Sequence, residues 1–174
     1  MTACRILFTV AIVAHTSLVL AQTKAPVPDP QAQAKAMAMV KEIFKAEYDA
    51  AKTASQKEEL AKKLLDLARE TKALPDSYAI LRVAGALSME AGGPICFQAV
   101  DEMAKSFQID GLNMKAKVLP HCAANATATQ SKAIAQTGIA LVRGALAKDR
   151  HDLARQVIGP TSSAARKSKD VALV

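Results

Sequence analysis

An all-α fold, a stack of antiparallel helical hairpins with about six to eight helices, is what this 174-residue sequence predicts, on three observations. Hydrophobic residues make up 51% of the chain, but alanine inflates that share, aromatic residues are only 3% and tryptophan is absent. Such a composition favours close helix-on-helix packing over sheet, which draws on β-branched and aromatic side chains. From Gln31 onward the apolar residues recur at helical spacing almost without relief. The periodic stretches are separated by roughly two to five residues rich in Gly, Pro and capping types, so consecutive helices are expected to lie antiparallel.

The chain opens with MTACRILFTVAIVAHTSLVLA, which reads as an export signal. Arg5 supplies the positive n-region, Ile6 to Leu20 the apolar stretch, and the compact residues before Ala21 a cleavage point at Ala21/Gln22. The stretch is shorter than the roughly 20 strongly apolar residues that span a bilayer. An uncleaved anchor is the alternative, and would be the chain's one membrane contact. Export places the mature protein in the periplasm or outside the cell. The organisation that follows is a signal over residues 1–21, a Pro-rich linker over 22–31 and one helical domain over 32–174. About 150 residues remain after cleavage, enough for one domain with a real core.

The elements follow in order. Pro26, Pro28 and Pro30 fix φ and favour an extended tether. Val40, Ile43, Phe44 and Tyr48 draw one stripe down a first helix from about Gln33 to Lys52. Thr53 or Ser55 caps the second, with Glu58 completing a capping box on Ser55. Leu60, Leu64, Leu67 and Ala68 form its buried face, and it stops near Ala73-Leu74 because Pro75 disfavours helical geometry before it. Asp76 or Ser77 opens a third helix carrying Ile80, Leu81, Ala84, Leu87 and Ala91. Gly92-Gly93-Pro94 ends it, glycine suiting a left-handed C-cap and proline the first turn of the next helix.

Cys96, Val100, Met103 and Phe107 then mark a fourth helix, and Ile109-Asp110-Gly111 a turn. Leu112, Ala116 and Leu119 continue into a fifth, which Pro120 ends or kinks. Ile134, Leu141, Val142, Ala145 and Leu146 describe a sixth, where Gly138 and Gly144 allow close approach. After Lys148-Asp149-Arg150-His151, Leu153 to Ile158 begins a seventh helix that Gly159-Pro160 breaks.

Lys and Arg outnumber Asp and Glu by 23 to 16, a net charge of +7. The excess admits an anionic envelope polymer or nucleic acid as partner. The lysines, however, are scattered beside acids, as in Lys57-Glu58-Glu59, and no aromatic residues are interleaved for base stacking. Solvated helix faces are the simpler reading, with Glu58-Glu59 and Asp101-Glu102 on exposed faces offsetting nearby lysines.

Cleavage would remove Cys4 and leave Cys96 and Cys122 as an even pair in an oxidising compartment. With the intervening turn centred on Gln108-Ile109, both cysteines lie about 18 to 20 Å from it along antiparallel helices, which brings them level. Either they form a disulfide, worth on the order of 3 kcal/mol, or they are two small buried thiols. A bend at Pro120 would separate them. His121 beside Cys122 suggests a metal site or a Cys/His pair, but a second histidine, a CxxC and a positioned base are all missing. His151 reads as a solvated loop residue and Asn125-Ala126-Thr127 as a glycosylation match common by chance. With no phosphate loop, GxSxG or HExxH, the expectation is no catalytic residues, no cofactor and no metal.

The runs EIFKAEYDAAKTASQKEELAKKLLDLARETK, YAILRVAGALSMEAGG and AVDEMAKSFQIDGLNMKAK, between Lys41 and Lys117, resemble a helical region of exported planctomycete-type proteins of uncharacterised function. Within it Gly93-Pro94, Ala99, Met103 and Ser106 look like the second half of a tetratricopeptide-type repeat, with one extra residue in the Gly-to-Ala interval. Lys148 to Ala154 echoes Gly93 to Ala99. The resemblance implies a tetratricopeptide-like α-solenoid serving as an interaction scaffold for a protein or peptide, and a helical region that usually continues. The domain is therefore expected to be a trimmed version or to be cut short at Val174.

Overall fold

Pro30, the last residue of the tether, is also the first of a helix. Asp29 accepts from the Gln31 and Ala32 amides at 3.0 and 2.9 Å, satisfying two donors that a helix start leaves orphaned. The computed structural model describes residues 23–173; the expected signal, with its cleavage point at Ala21/Gln22, lies outside them. Among the described residues eight α-helices follow in order: α1 Pro30–Ile43, α2 Lys45–Ala50, α3 Ala54–Glu70, α4 Leu74–Ala91, α5 Ile95–Ser106, α6 Gly111–Asn125, α7 Ala128–Leu146 and α8 His151–Ser168. A 3₁₀ turn over Val171–Leu173 comes last, and no strand occurs among the described residues. The fold class is all-α.

The expected first helix is two. The chain leaves helical geometry at Phe44, with φ −99° and ψ 18°, yet Phe44 remains half-buried and holds the Lys63 ammonium 5.4 Å from its ring centre. Ile43, placed on the apolar stripe by spacing, is 65% exposed. The cap of α3 is Thr53, which forms a reciprocal capping box with Gln56. Ser55 and Glu58 are therefore not the box, and Glu58 is released to turn inward. Pro75 does not end α3, which stops at Glu70; it sits in the first turn of α4, where the missing N–H costs nothing. Ser77, inside that turn, is buried and donates to the Ala68 carbonyl at 3.0 Å, stitching α4 to α3.

Neither internal proline breaks its helix. α6 runs through Pro120 to Asn125, and α8 runs through Gly159-Pro160 to Ser168. In α8, Leu153, Ala154 and Val157 are buried before the proline and Thr161, Ala164 and Ala165 after it, all in one helical register against α7 and α6. That continuous apolar face outweighs the local cost of about 3 kcal/mol for an interior proline.

Two adjoining clusters form the core. The first joins Leu64 and Leu65 of α3, Tyr78, Leu81 and Leu87 of α4 and Val100 of α5, closing on the fully buried Phe107. Tyr78 meets the Phe107 ring edge-on at 5.0 Å. The second joins Cys96 and Phe97 of α5 to Leu119 and Cys122 of α6, Ile134 of α7 and Val157 of α8. Part of the expected linker is drawn in as well: Ala25 donates to the Ser106 carbonyl and accepts from the Gln108 amide, both at 2.8 Å.

Helices α7 and α8 approach closely at Gly138, where a Cβ would lie 2.2 Å from Thr161 Oγ1. Gly138→Ala is expected to lower stability by about 1 to 3 kcal/mol through overpacking. Gly159→Ala, with nothing within 4 Å of the added carbon, is expected to raise it by about 0.5 to 1 kcal/mol. Urea denaturation of the pair checks both; equal effects would contradict the packing described.

Candidate functional site

Helix α5 has a problem at its start. Its N-cap position is Pro94, which offers no side-chain acceptor, so the first amides need partners from elsewhere. Two are supplied. Glu58 Oε1, from α3, accepts from the Ile95 amide at 3.2 Å, and Ser88 Oγ, from α4, accepts from the Cys96 amide at 2.9 Å. Glu58 thus lies half-buried over Gly93, whose Cβ would fall 2.1 Å from the carboxyl group. The exposed position expected for Glu58 is incorrect, while Glu59 and Asp101 do face solvent. Glu58 Oε2 is buried without a hydrogen-bond partner. Burial pushes the Glu58 carboxyl above the usual range, only partly offset by the nearby Ser88 hydroxyl and Ile95 amide.

Directly beneath this cap lie the two cysteines. Cys96 in the first turn of α5 and Cys122 near the end of α6 have their sulfurs 2.7 Å apart, with both residues buried. That is closer than unbonded sulfurs ordinarily pack and longer than the about 2.05 Å of a disulfide; they stand here as two thiols. Helix α6 continues through Pro120, and the proline does not separate them. Cys96 also donates to the Gly93 carbonyl at 3.2 Å. Burial raises the Cys96 thiol, and the adjacent Cys122 and the Glu58 charge raise it further. A thiol so placed is a poor nucleophile, since the thiolate is the reactive form.

His121 is next to Cys122 in sequence but exposed, on the mouth of a groove. Among the described residues no three His, Cys, Asp or Glu side chains converge as a metal site would need. His151 opens α8 and is exposed. Asn125, of the glycosylation match, donates its side-chain amide to the Met89 carbonyl at 3.1 Å, and Thr127 caps α7.

The groove itself was not legible from sequence. It has a volume of about 400 Å³ and receives Met37 from α1, Met89 from α4, Met103 from α5 and Met114 from α6, four of the six methionines of the chain. Cys96 and Val100 line it too. Arg82, Lys117 and His121 stand exposed around it, and no carboxylate contributes to its lining. Among the described residues neither Arg82 nor Lys117 makes an ion pair, whereas Lys57–Glu90, Arg69–Glu102, Lys115–Asp101 and Lys132–Asp170 do. A larger cavity, about 470 Å³ beside Lys24, Asp110 and Lys148, is of mixed lining, and both its carboxylates are taken up by the Asp101–Lys115 and Asp110–Arg150 pairs.

Comparison of the chain with protein-family models, with curated proteins and with solved structures returns no match.

The raised Glu58 carboxyl makes a signed prediction. The folded state holds this proton more tightly than the unfolded chain, so its contribution is present below about pH 4.3 and is lost as pH rises through the folded value. Glu58→Gln keeps an acceptor for Ile95 without the charge. Across pH 4 to 8 the variant is expected to lose less stability with rising pH than the parent, read from denaturation midpoints. Parallel pH profiles would contradict the buried placement.

Proposed function

We propose that this chain is an exported, non-enzymatic helical scaffold that binds a protein or peptide partner in the methionine-lined groove. The groove is the observation that carries the reading. Methionine side chains are unbranched and polarizable, and such surfaces reshape around apolar anchors of varied outline. A volume of about 400 Å³ falls in the range of ligand-holding clefts, about 300 to 1,000 Å³. A scaffold reading also fits the two buried thiols, of which Cys96 is raised by burial, against nucleophilic chemistry.

The finer architecture belongs to the same proposal. From α3 to α8 each helix packs on its successor across links of two to four residues. Links that short favour antiparallel neighbours, which supports a tetratricopeptide-like hairpin stack. The Arg5 to Ala21 segment supports export to the periplasm or beyond, with cleavage before Gln22. In that compartment Cys96 and Cys122 form a disulfide: each sulfur loses a proton and an electron to an external disulfide oxidant, which is reduced to two thiols. The 2.7 Å sulfur separation supports this. Binding to an anionic envelope polymer or nucleic acid is the second reading, favoured by the unpaired Arg82 and Lys117 and the +7 charge.

Affinity capture from an envelope extract tests the scaffold. A specific protein partner is expected, and Met89→Lys with Met114→Lys should release it while the helical circular-dichroism signal persists. A turnover activity with no specific partner would overturn the reading; capture of polymer or nucleic acid in place of protein, lost steeply with salt and indifferent to the methionine changes, would favour the second reading. Intact mass of the mature protein is expected to show loss of the signal and of two hydrogens. Reduction should then lower stability by about 3 kcal/mol, and a full-mass dithiol from an oxidising compartment would contradict the bridge.

A further inference from the structure

We infer that the segment taken by the groove is acidic, with apolar side chains flanked by carboxylates; the inference rests on the peptide-binding reading above. Four helices each send one methionine into the same space, so the walls offer thioethers and aliphatic carbons with no fixed polar group to select a single side-chain shape. Selection then falls to the mouth. Arg82 on α4 and Lys117 on α6 are both exposed there, both without a carboxylate partner among the described residues, and His121 stands beside Lys117 one turn further along α6. Some lysines and arginines elsewhere are matched with acids from neighbouring helices, as Lys57 is with Glu90 and Arg69 with Glu102, and others such as Lys62 and Arg155 are not, among the described residues; what marks this groove is that cations line it and no carboxylate does. The cleft beside Lys63 shows the contrast, since Glu47 and Glu59 line it as well.

An apolar anchor entering the groove would displace water from the methionines while flanking Asp or Glu side chains reach the two cations. A basic segment would bring like charges together at the mouth, where repulsion costs affinity. Complementary charge of this kind sets partner choice and encounter rate more than total affinity. The chemistry of the occupant is thus an acidic amphipathic peptide, in preference to a basic or purely apolar one.

Selection from a displayed library of random 12-residue peptides against the mature protein tests this. Recovered sequences are expected to be enriched in Asp and Glu next to Leu, Met or Phe. Their binding should weaken about tenfold in the double variant Arg82→Glu/Lys117→Glu, whose exposed positions leave the thermal midpoint unchanged. Recovered peptides without acidic bias, or with binding indifferent to the charge reversal, would overturn the inference. Displacement of those peptides by dodecanoate at equal concentration would overturn it too, assigning the groove to a small amphipathic anion. If an envelope protein is captured but ignores the charge reversal, only the acidic inference fails. If neither the library nor the extract yields a binder, the peptide-binding reading fails with it.

Discussion

The backbone at Gly92-Gly93 runs where no side chain fits, and most of what surrounds the thiols and the groove follows from that. Gly92 takes a left-handed φ of +66° to end α4, and a Cβ there would lie 2.3 Å from the Ala126 amide nitrogen. The end of α4 is thereby pressed against the link between α6 and α7. Its terminal carbonyls are then answered from those helices: Asn125 donates to Met89, and Gln130 donates to Ala91 at 3.2 Å. On the other flank, the absence of a side chain at Gly93 lets Glu58 cross from α3 to the start of α5. One tight turn joins the first apolar cluster to the second.

Chemistry at the junction follows from its closure. Cys96 is brought level with Cys122 by the same turn, but in a setting that withholds water and positive charge from both sulfurs. Burial disfavours a thiolate at Cys96, and a buried pair is poorly placed for exchange chemistry. The groove lies one layer outward, sharing Cys96 with the junction and drawing its other walls from α1, α4, α5 and α6. Its shape therefore depends on how those helices are held, while Arg82 and Lys117 around it are exposed and make no ion pair among the described residues.

Parts of this were legible in the sequence because they are local. Gly92-Gly93-Pro94 announced a helix end and a helix start, and the buried sides of α3 and α4 fell on Leu60, Leu64, Leu81, Ala84 and Leu87 as spacing indicated. The level placement of Cys96 and Cys122 followed from counting residues on either side of one short turn. Other features lay beyond local rules. The break at Phe44 leaves the stripe of Val40, Phe44 and Tyr48 in phase, so periodicity passes over it. Pro160 satisfies every criterion for a helix end except that both sides of it pack on α7. Glu58 fits an exposed capping box until α5, lacking its own cap, claims it. The groove could not be read at all, because Met37, Met89, Met103 and Met114 are scattered along the chain and meet only once four helices are assembled.

Amide hydrogen exchange on Gly92→Ala beside the parent protein tests the junction most directly. If the turn at Gly92 holds the two clusters in register, protection should fall together at the start of α5, over Ile95 to Val100, and at the end of α6 around Cys122, more than 20 residues away in sequence. Loss of protection confined to Gly92, Gly93 and their immediate neighbours would show that the two clusters are held independently, and would contradict the central role given to this turn.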